Sequence, residues 1–179
     1  MEKTLAAARL GQKDFSVLNH GDFWINNFMF SYSSNGKLDD CRIVDFQVVL
    51  HSSPAIDLNY FWATSPNIEV RNQHLNTVIN HYYNCLTTSL NKLQYPSKKI
   101  PDFKQFEEDF KQRAFYGLTC SVTVLPFVTA SNRNDANFED LFNNDNEDGF
   151  RHDSYNNERY RRYMEYLLPY FDSLGIFDV

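Results

Sequence analysis

The chain has 179 residues, a length that fits one domain. Apolar residues make up 42% of it and aromatic residues 16%, which excludes a disordered chain because that much apolar surface can form a core. With 17 basic and 23 acidic residues the net charge is −6, so the sequence offers no basic surplus for general nucleic-acid binding.

Cysteine content and hydropathy bear on the cellular compartment. Three widely spaced cysteines, Cys41, Cys85 and Cys120, disfavour a disulfide scaffold and contain no CxxC metal pair. The first 11 residues lack the apolar stretch of a signal peptide. The most apolar later stretch, 120–130, is too short to span a bilayer. We therefore expect a cytoplasmic protein that does not associate with membranes.

The first third of the chain is predicted to be β-structure around one polar loop. The dipeptide Asn35-Gly36 predicts a tight hairpin turn. The predicted elements are the end of a helix over residues 2–12, a strand over 15–18, a loop over 20–27, and strands over 28–32 and 41–49.

The remainder is predicted to be helical, because apolar residues recur there at gaps of three and four. The predicted helices cover 55–64, 75–93, 103–114 with a continuation toward 125, and 160–171. The segment 131–153 is rich in Asn and Asp and is predicted to be a loop or insert. The sequence contains no internal repeat or linker, so we expect one α+β unit over 1–179 in which helices pack around a small β-region.

Three polar residues in the β-region could support chemistry. Asp22 and Asn27 lie in the polar loop, and Asp45 lies in the predicted return strand among apolar neighbours. We expect the hairpin to bring Asp45 beside Asn27, and a carboxylate buried there would need a partner or a metal. An amide oxygen and a carboxylate suit Mg²⁺, which also retains water and shares phosphate oxygens. Asp22 could then orient a hydroxyl nucleophile, as phosphoryl transfer requires.

The order of these residues follows a known pattern. Protein kinases have a loop histidine, an Asp two residues later, an Asn five after that, and then a metal-binding Asp followed by Phe. The stretches LNHGDFWINNFMF, IVDFQ and SPAIDLNYF, with YGLTCSVTVLP further on, resemble the ecdysteroid kinase-like family. That family is related to choline kinase and the aminoglycoside phosphotransferases. The resemblance covers roughly residues 10–175 and implies the mainly helical C-terminal lobe of a protein-kinase-like fold, with the hairpin carrying the motifs.

The resemblance implies a role for each motif residue. Asp22 matches the family's catalytic Asp, and Asn27 and Asp45 match its metal and nucleotide ligands, with ATP and Mg²⁺ as cofactors. A second set is implied to support the loop structurally: His20, Trp24 and Asp57. From the residues alone, Asp57 fits equally well as a helix-start residue. The implied acceptor is a small-molecule alcohol, with an ecdysteroid or another steroid alcohol as the family's suggestion.

The nucleotide-binding half of such a kinase has no match here. Only 19 residues precede His20, Gly11 is the sole glycine among them, and neither Lys3 nor Lys13 lies on a predicted strand. We therefore expect a chain without the N-terminal lobe that is weakly active or inactive alone.

Three functional interpretations follow from these observations. The first is a truncated phosphotransferase, and the second is a non-catalytic kinase-derived lobe that binds a ligand or partner. The third is an unrelated metal hydrolase that uses Asp22, Asp45 and a histidine. The oligomeric state stays open.

Overall fold

The computed structural model describes residues 2–12, 14–131, 137–143 and 149–178. Most of these residues are helical, and two small antiparallel sheets complete an α+β fold, as the sequence predicts. The strands are β1 (Val17–Asn19), β2 (Phe28–Tyr32), β3 (Leu38–Ile43) and β4 (Leu50–Ser52). The helices are α1 (Glu2–Ala8), α2 (Ala55–Thr64), α3 (Ile68–Gln73), α4 (Leu75–Lys92), α5 (Phe103–Gln112), α6 (Ala114–Thr123), α7 (Leu125–Thr129), α8 (Phe138–Asn143), α9 (Phe150–Asn156) and α10 (Glu158–Ser173).

The hairpin forms where Asn35-Gly36 predicts it. Strands β2 and β3 pair from Phe28 opposite Ile43 to the turn, where Gly36 adopts a left-handed φ of 76°. A glycine takes that conformation without the steric cost of a Cβ. The hairpin is solvated on both faces, since almost all of its residues are exposed.

The return strand is shorter than predicted. It ends at Ile43, and Asp45 then takes a left-handed φ of 69° that cannot continue a strand. The chain turns at residues 47–48 before β4 pairs with β1, placing Leu18 opposite His51. The prediction of one strand over 41–49 was therefore wrong beyond Ile43, because residues 44–49 form the connection, with its turn, between β3 and β4.

Helix α2 lies at the centre of the fold, because eight of its ten residues are buried. Residues of α2 belong to two buried hydrophobic clusters. One contains Ala55, Leu58, Ile79, Phe106 and Phe110, and the other contains Trp24, Tyr60, Ala63 and Cys120. A third cluster, around Leu167 and Phe171, joins α10 to α6 and α7. Aromatic residues, 16% of the chain, therefore fill much of a helical core.

The predicted helix over 103–114, with its continuation toward 125, is divided in the structure into α5 and α6, and α7 follows from Leu125. Helix α5 begins with a capping box between Asp102 and Gln105, and it ends at Arg113. The Arg113 guanidinium binds Asp109 at 2.7 Å and Asp14 at 2.6 Å, which fixes the chain at this break. A second break at Val124 precedes α7, which carries Pro126 in its first turn.

The segment 131–153 was predicted to be a loop or an insert, and the loop alternative is wrong for its described part. Helix α8 and the start of α9 lie within it, and Leu141 and Phe150 are fully buried. A few apolar anchors among the Asn and Asp residues are enough to dock two short helices. The rest of that prediction, over 132–136 and 144–148, lies outside the described residues.

In the part of the chain that the structure describes, we find no helix with the length and apolar character needed to cross a membrane.

Candidate functional site

The carboxylate of Asp57, in the first turn of α2, accepts hydrogen bonds from the backbone of the polar loop after β1. The backbone N–H of His20 donates to one of its oxygens at 2.6 Å, and the N–H of Gly21 donates to the other at 3.0 Å. Burial raises the pKa of the Asp57 carboxyl above its ordinary 3.8, although both N–H groups act in the opposite direction. The structure therefore places Asp57 where it fixes the loop backbone.

The buried His20 side chain joins the loop to the segment after β3. Its Nε2 lies 2.8 Å from the carbonyl oxygen of Val44, and its Nδ1 accepts from the backbone N–H of Asp22 at 3.3 Å. These partners fit a neutral imidazole with the proton on Nε2. The ring also packs against Phe46, with centroids 4.6 Å apart. His20 is thus engaged in holding two segments together.

Two structural features require glycine at position 21. Its φ of 83° is left-handed, and a Cβ built on it would lie 2.0 Å from the carbonyl oxygen of Val48. The turn before β4 therefore packs directly on the backbone of the loop. The glycine of the His-Gly-Asp sequence permits this contact, which sequence reasoning did not identify.

The Asp22 carboxylate is positioned by two side chains. The hydroxyl of Tyr60 donates to Oδ1 at 2.6 Å, and the Nδ2 group of Asn27 donates to Oδ2 at 3.0 Å. Asn27 also donates to the backbone oxygen of Asp22 at 2.8 Å. Burial, followed by the bond to Asp22, raises the pKa of Tyr60 far above its ordinary range, so its hydroxyl remains a donor. Asp22 itself is half-buried and reaches solvent.

Sequence reasoning missed Tyr60. The signal was its spacing: Tyr60 follows Asp57 by three residues in a predicted helix, so the two share one helix face. That face contacts the loop, with Asp57 bound to its backbone and Tyr60 bound to Asp22.

Trp24 lies beneath the loop. It is buried in the cluster with Tyr60, Ala63 and Cys120, and its ring lies 6.1 Å from that of Phe127. The structure therefore places Trp24 in the packing that supports the loop.

A backbone hydrogen bond joins Asn27 to the residue before Asp45: the N–H of Val44 donates to the Asn27 carbonyl at 2.9 Å. The expectation that Asp45 is buried was wrong, because it is exposed just past the end of β3. Its carboxylate accepts from Gln47 at 3.3 Å. An exposed carboxylate needs no metal to compensate for burial, so that part of the sequence argument does not hold.

The donor chemistry of Asn27 and Asp45 nevertheless fits Mg²⁺. Because Asn27 uses Nδ2 toward Asp22, its side-chain oxygen is directed away from that bond, and Asp45 supplies a carboxylate with access to water. Two protein oxygens are typical of magnesium held jointly with water and phosphate. Among the described residues, no three His, Cys, Asp or Glu side chains gather as a metal-binding cluster. The metal-hydrolase interpretation, which needs such a cluster, gains no support.

A family model described as the ecdysteroid kinase-like family matches residues 1–95, which include every candidate site residue. This is just over half of the 179 residues, so the chain belongs to the ecdysteroid kinase-like family, a family of kinase-like phosphotransferases. The resemblance seen in the motifs is confirmed at this level, although the matched region ends in the loop after α4. No curated protein and no solved structure matches the chain significantly.

Proposed function

We propose that the chain carries the catalytic loop and the metal ligands of an ATP-dependent phosphotransferase whose acceptor is the hydroxyl of a small-molecule alcohol. Family membership and the geometry at Asp22 support this function. The observation that carries it is the fixed carboxylate of Asp22, which two side chains orient while Asp57 holds the loop behind it. The helical body and the motif-bearing hairpin support assignment to the C-terminal lobe of a protein-kinase-like fold.

In this proposal Asp22 would orient the acceptor hydroxyl and accept its proton as the oxygen bonds to the terminal phosphorus of ATP. The bond from that phosphorus to the bridging oxygen would break, with ADP as the leaving group. Tyr60 and Asn27 keep the Asp22 carboxylate in one orientation. The carboxylate therefore loses little conformational entropy when the alcohol binds. Asn27 and Asp45 would hold Mg²⁺, which when bound neutralises phosphate charge. The family's name suggests a steroid alcohol as the acceptor, and the unpaired cysteines fit a cytoplasmic setting.

A second candidate function is a non-catalytic, kinase-derived lobe that binds a ligand or partner. The exposed apolar side chains of the hairpin favour it, since Met29, Tyr32 and Leu38 are each at least 60% exposed. Apolar exposure of this kind is typical of a surface that meets another molecule.

An ATP-consumption assay with a steroid alcohol, with and without Mg²⁺, separates the two functions. The phosphotransferase proposal predicts magnesium-dependent turnover that Asp22→Ala lowers by about 10²- to 10⁴-fold, the usual range for a lost general base. Asp39→Ala, which removes an exposed carboxylate from the hairpin, should leave turnover unchanged. No turnover by the intact chain, or equal turnover by Asp22→Ala, would favour the non-catalytic lobe.

A further inference from the structure

A cavity separate from the candidate site lies between the segment before β1, the segment before α5, and α5 itself. Its volume is about 630 Å³, which falls among small-molecule pockets of about 300 to 1,000 Å³. None of the residues that line it belongs to the set around Asp22. The cavity is therefore available to a second ligand.

Part of the cavity lining is apolar. Phe15 and Tyr95 meet edge to face with ring centroids 6.3 Å apart, and the buried Phe106 also lines the cavity. Pro54 and Ile100 are further apolar residues of the lining. Rings and aliphatic groups suit a flat apolar ring system, because its binding there removes apolar area from water.

Each acidic group of the cavity contacts a basic side chain, although two of them share one guanidinium. Asp14 and Asp109 both bind the Arg113 guanidinium, at 2.6 Å and 2.7 Å. The third acid, Glu108, lies 3.8 Å from the ammonium group of Lys104. These carboxylates are therefore poorly placed to attract a cationic ligand.

The remaining charge is positive. Lys98 and Lys99 lie together in a short 3-10 turn at the cavity edge, and the described part of the chain shows no ion pair for either. Two adjacent ammonium groups without carboxylate partners would favour an anion at that edge.

We propose that this cavity binds a small amphipathic anion, an apolar ring system bearing one sulfonate, sulfate, phosphate or carboxylate group. The ring would lie against Phe15 and Tyr95, and the anion would lie at Lys98 and Lys99. The proposal is independent of the phosphotransferase chemistry at Asp22, because it uses none of the same residues.

Fluorescence titration of the full chain with 8-anilinonaphthalene-1-sulfonate, an aryl sulfonate, tests the proposal. We expect saturable binding that the double variant Lys98→Gln/Lys99→Gln weakens by about tenfold, the effect of losing two exposed charge interactions. The neutral probe N-phenyl-1-naphthylamine should bind both proteins equally. Tyr95→Ala should weaken both probes, since it removes part of the apolar lining.

Two control variants show where the dye binds, because this dye also adheres to exposed apolar surface. Lys37→Gln removes an exposed ammonium at the hairpin, and Met29→Ser removes exposed apolar surface there. Both should leave the affinity unchanged. The proposal is overturned if the dye does not bind saturably, if the lysine pair has no effect, or if Met29→Ser abolishes binding.

Discussion

Two glycines with similar backbone conformations allow the role of Gly21 to be tested. Gly21 and Gly36 have φ values of 83° and 76°, but a Cβ on Gly21 would meet Val48 whereas one on Gly36 would meet nothing within 4 Å. Gly36→Ala should cost about 1–2 kcal/mol, the left-handed penalty alone. Gly21→Ala should lower the free energy of unfolding by more than about 3 kcal/mol, because the steric overlap adds to that penalty. Urea denaturation of both variants measures the difference, and equal losses would show that the loop does not need the Val48 contact.

The hydrogen bond from Tyr60 to Asp22 can also be tested against a matched control variant. Tyr60→Phe removes a 2.6 Å bond to a carboxylate and should lower the free energy of unfolding by about 1.5–3 kcal/mol. The neighbouring Tyr116, whose ring lies 6.4 Å away, shows no hydroxyl hydrogen bond within the described residues. Tyr116→Phe should therefore have a smaller effect in the same chemical denaturation series. No loss for Tyr60→Phe would mean that Tyr60 acts through ring packing alone.

The raised pKa of Asp57 predicts a pH dependence with a definite sign. Below its ordinary pKa of 3.8 this carboxyl is protonated in both the folded and the unfolded chain. As the pH rises from 3.8 through the higher folded pKa, the unfolded chain loses its proton first, so the contribution of this group to stability falls. The free energy of unfolding of the wild type minus that of Asp57→Asn should therefore decrease over this window. A difference that rises with pH would mean that the bonds from His20 and Gly21 outweigh burial.

At the scale of the element, sequence periodicity succeeds where a helix presents one long apolar face. Helix α4 is such a helix and runs over Leu75–Lys92, close to its predicted 75–93. Helix α2 also runs over Ala55–Thr64 as predicted, although eight of its ten residues are buried and it has no single apolar face. The short helices α3, α8 and α9 offer too few turns to produce a periodic signal. The break at Arg113 was also missed, because the ion pairs that fix it reach Asp14, which is distant in the sequence.

A buried arginine joins three helices and provides a test at this scale. Arg71 of α3 donates to the carbonyl of Trp62 at 2.6 Å and to that of Pro66 at 2.8 Å, and its guanidinium lies 4.6 Å from the ring centroid of Tyr163 in α10. Burial lowers the pKa of Arg71 to about 10. The group therefore depends on those carbonyls and that ring for its compensation.

Lysine cannot reproduce this planar set of contacts. Arg71→Lys should lower the free energy of unfolding by about 2–4 kcal/mol, since a buried charge would lose its partners. Arg159→Lys, an exposed substitution on α10, should change it by less than about 0.5 kcal/mol. Thermal and urea unfolding measure both variants, and similar small changes would show that the α2–α3–α10 junction does not depend on the guanidinium.

For the whole molecule, the order of the motifs predicts most residues of the candidate site. It does not predict the tertiary contacts that hold them together. The positions of Asp22, Asn27 and Asp57 on one loop and the next helix could be predicted, since local sequence determines them. The exposure of Asp45 and the bond from Tyr60 depend on how β3 ends and how α2 packs on the loop. Such tertiary contacts leave no periodic pattern in the sequence.

Aromatic residues occupy two different environments in the whole molecule. Phe106, Phe110 and Phe171 are buried in the helical core, whereas Phe30 and Tyr32 of the hairpin are 42% and 64% exposed. The helical body therefore provides a packed support, and the hairpin presents apolar surface beside the motifs. This arrangement is compatible with both functions proposed above, so the chemistry of the site has to decide between them.

Calorimetric titration of the full chain with ATP, at saturating Mg²⁺ and again with the metal chelated, tests the central claim most directly. If Asn27 and Asp45 hold a magnesium–nucleotide complex, the wild type will bind ATP only with Mg²⁺, and Asp45→Asn will abolish that binding. Asp39→Asn, which changes another exposed acid of the hairpin region, will bind as the wild type does. Metal-independent binding, no binding by the wild type, or unchanged binding by Asp45→Asn would contradict the assignment of this site.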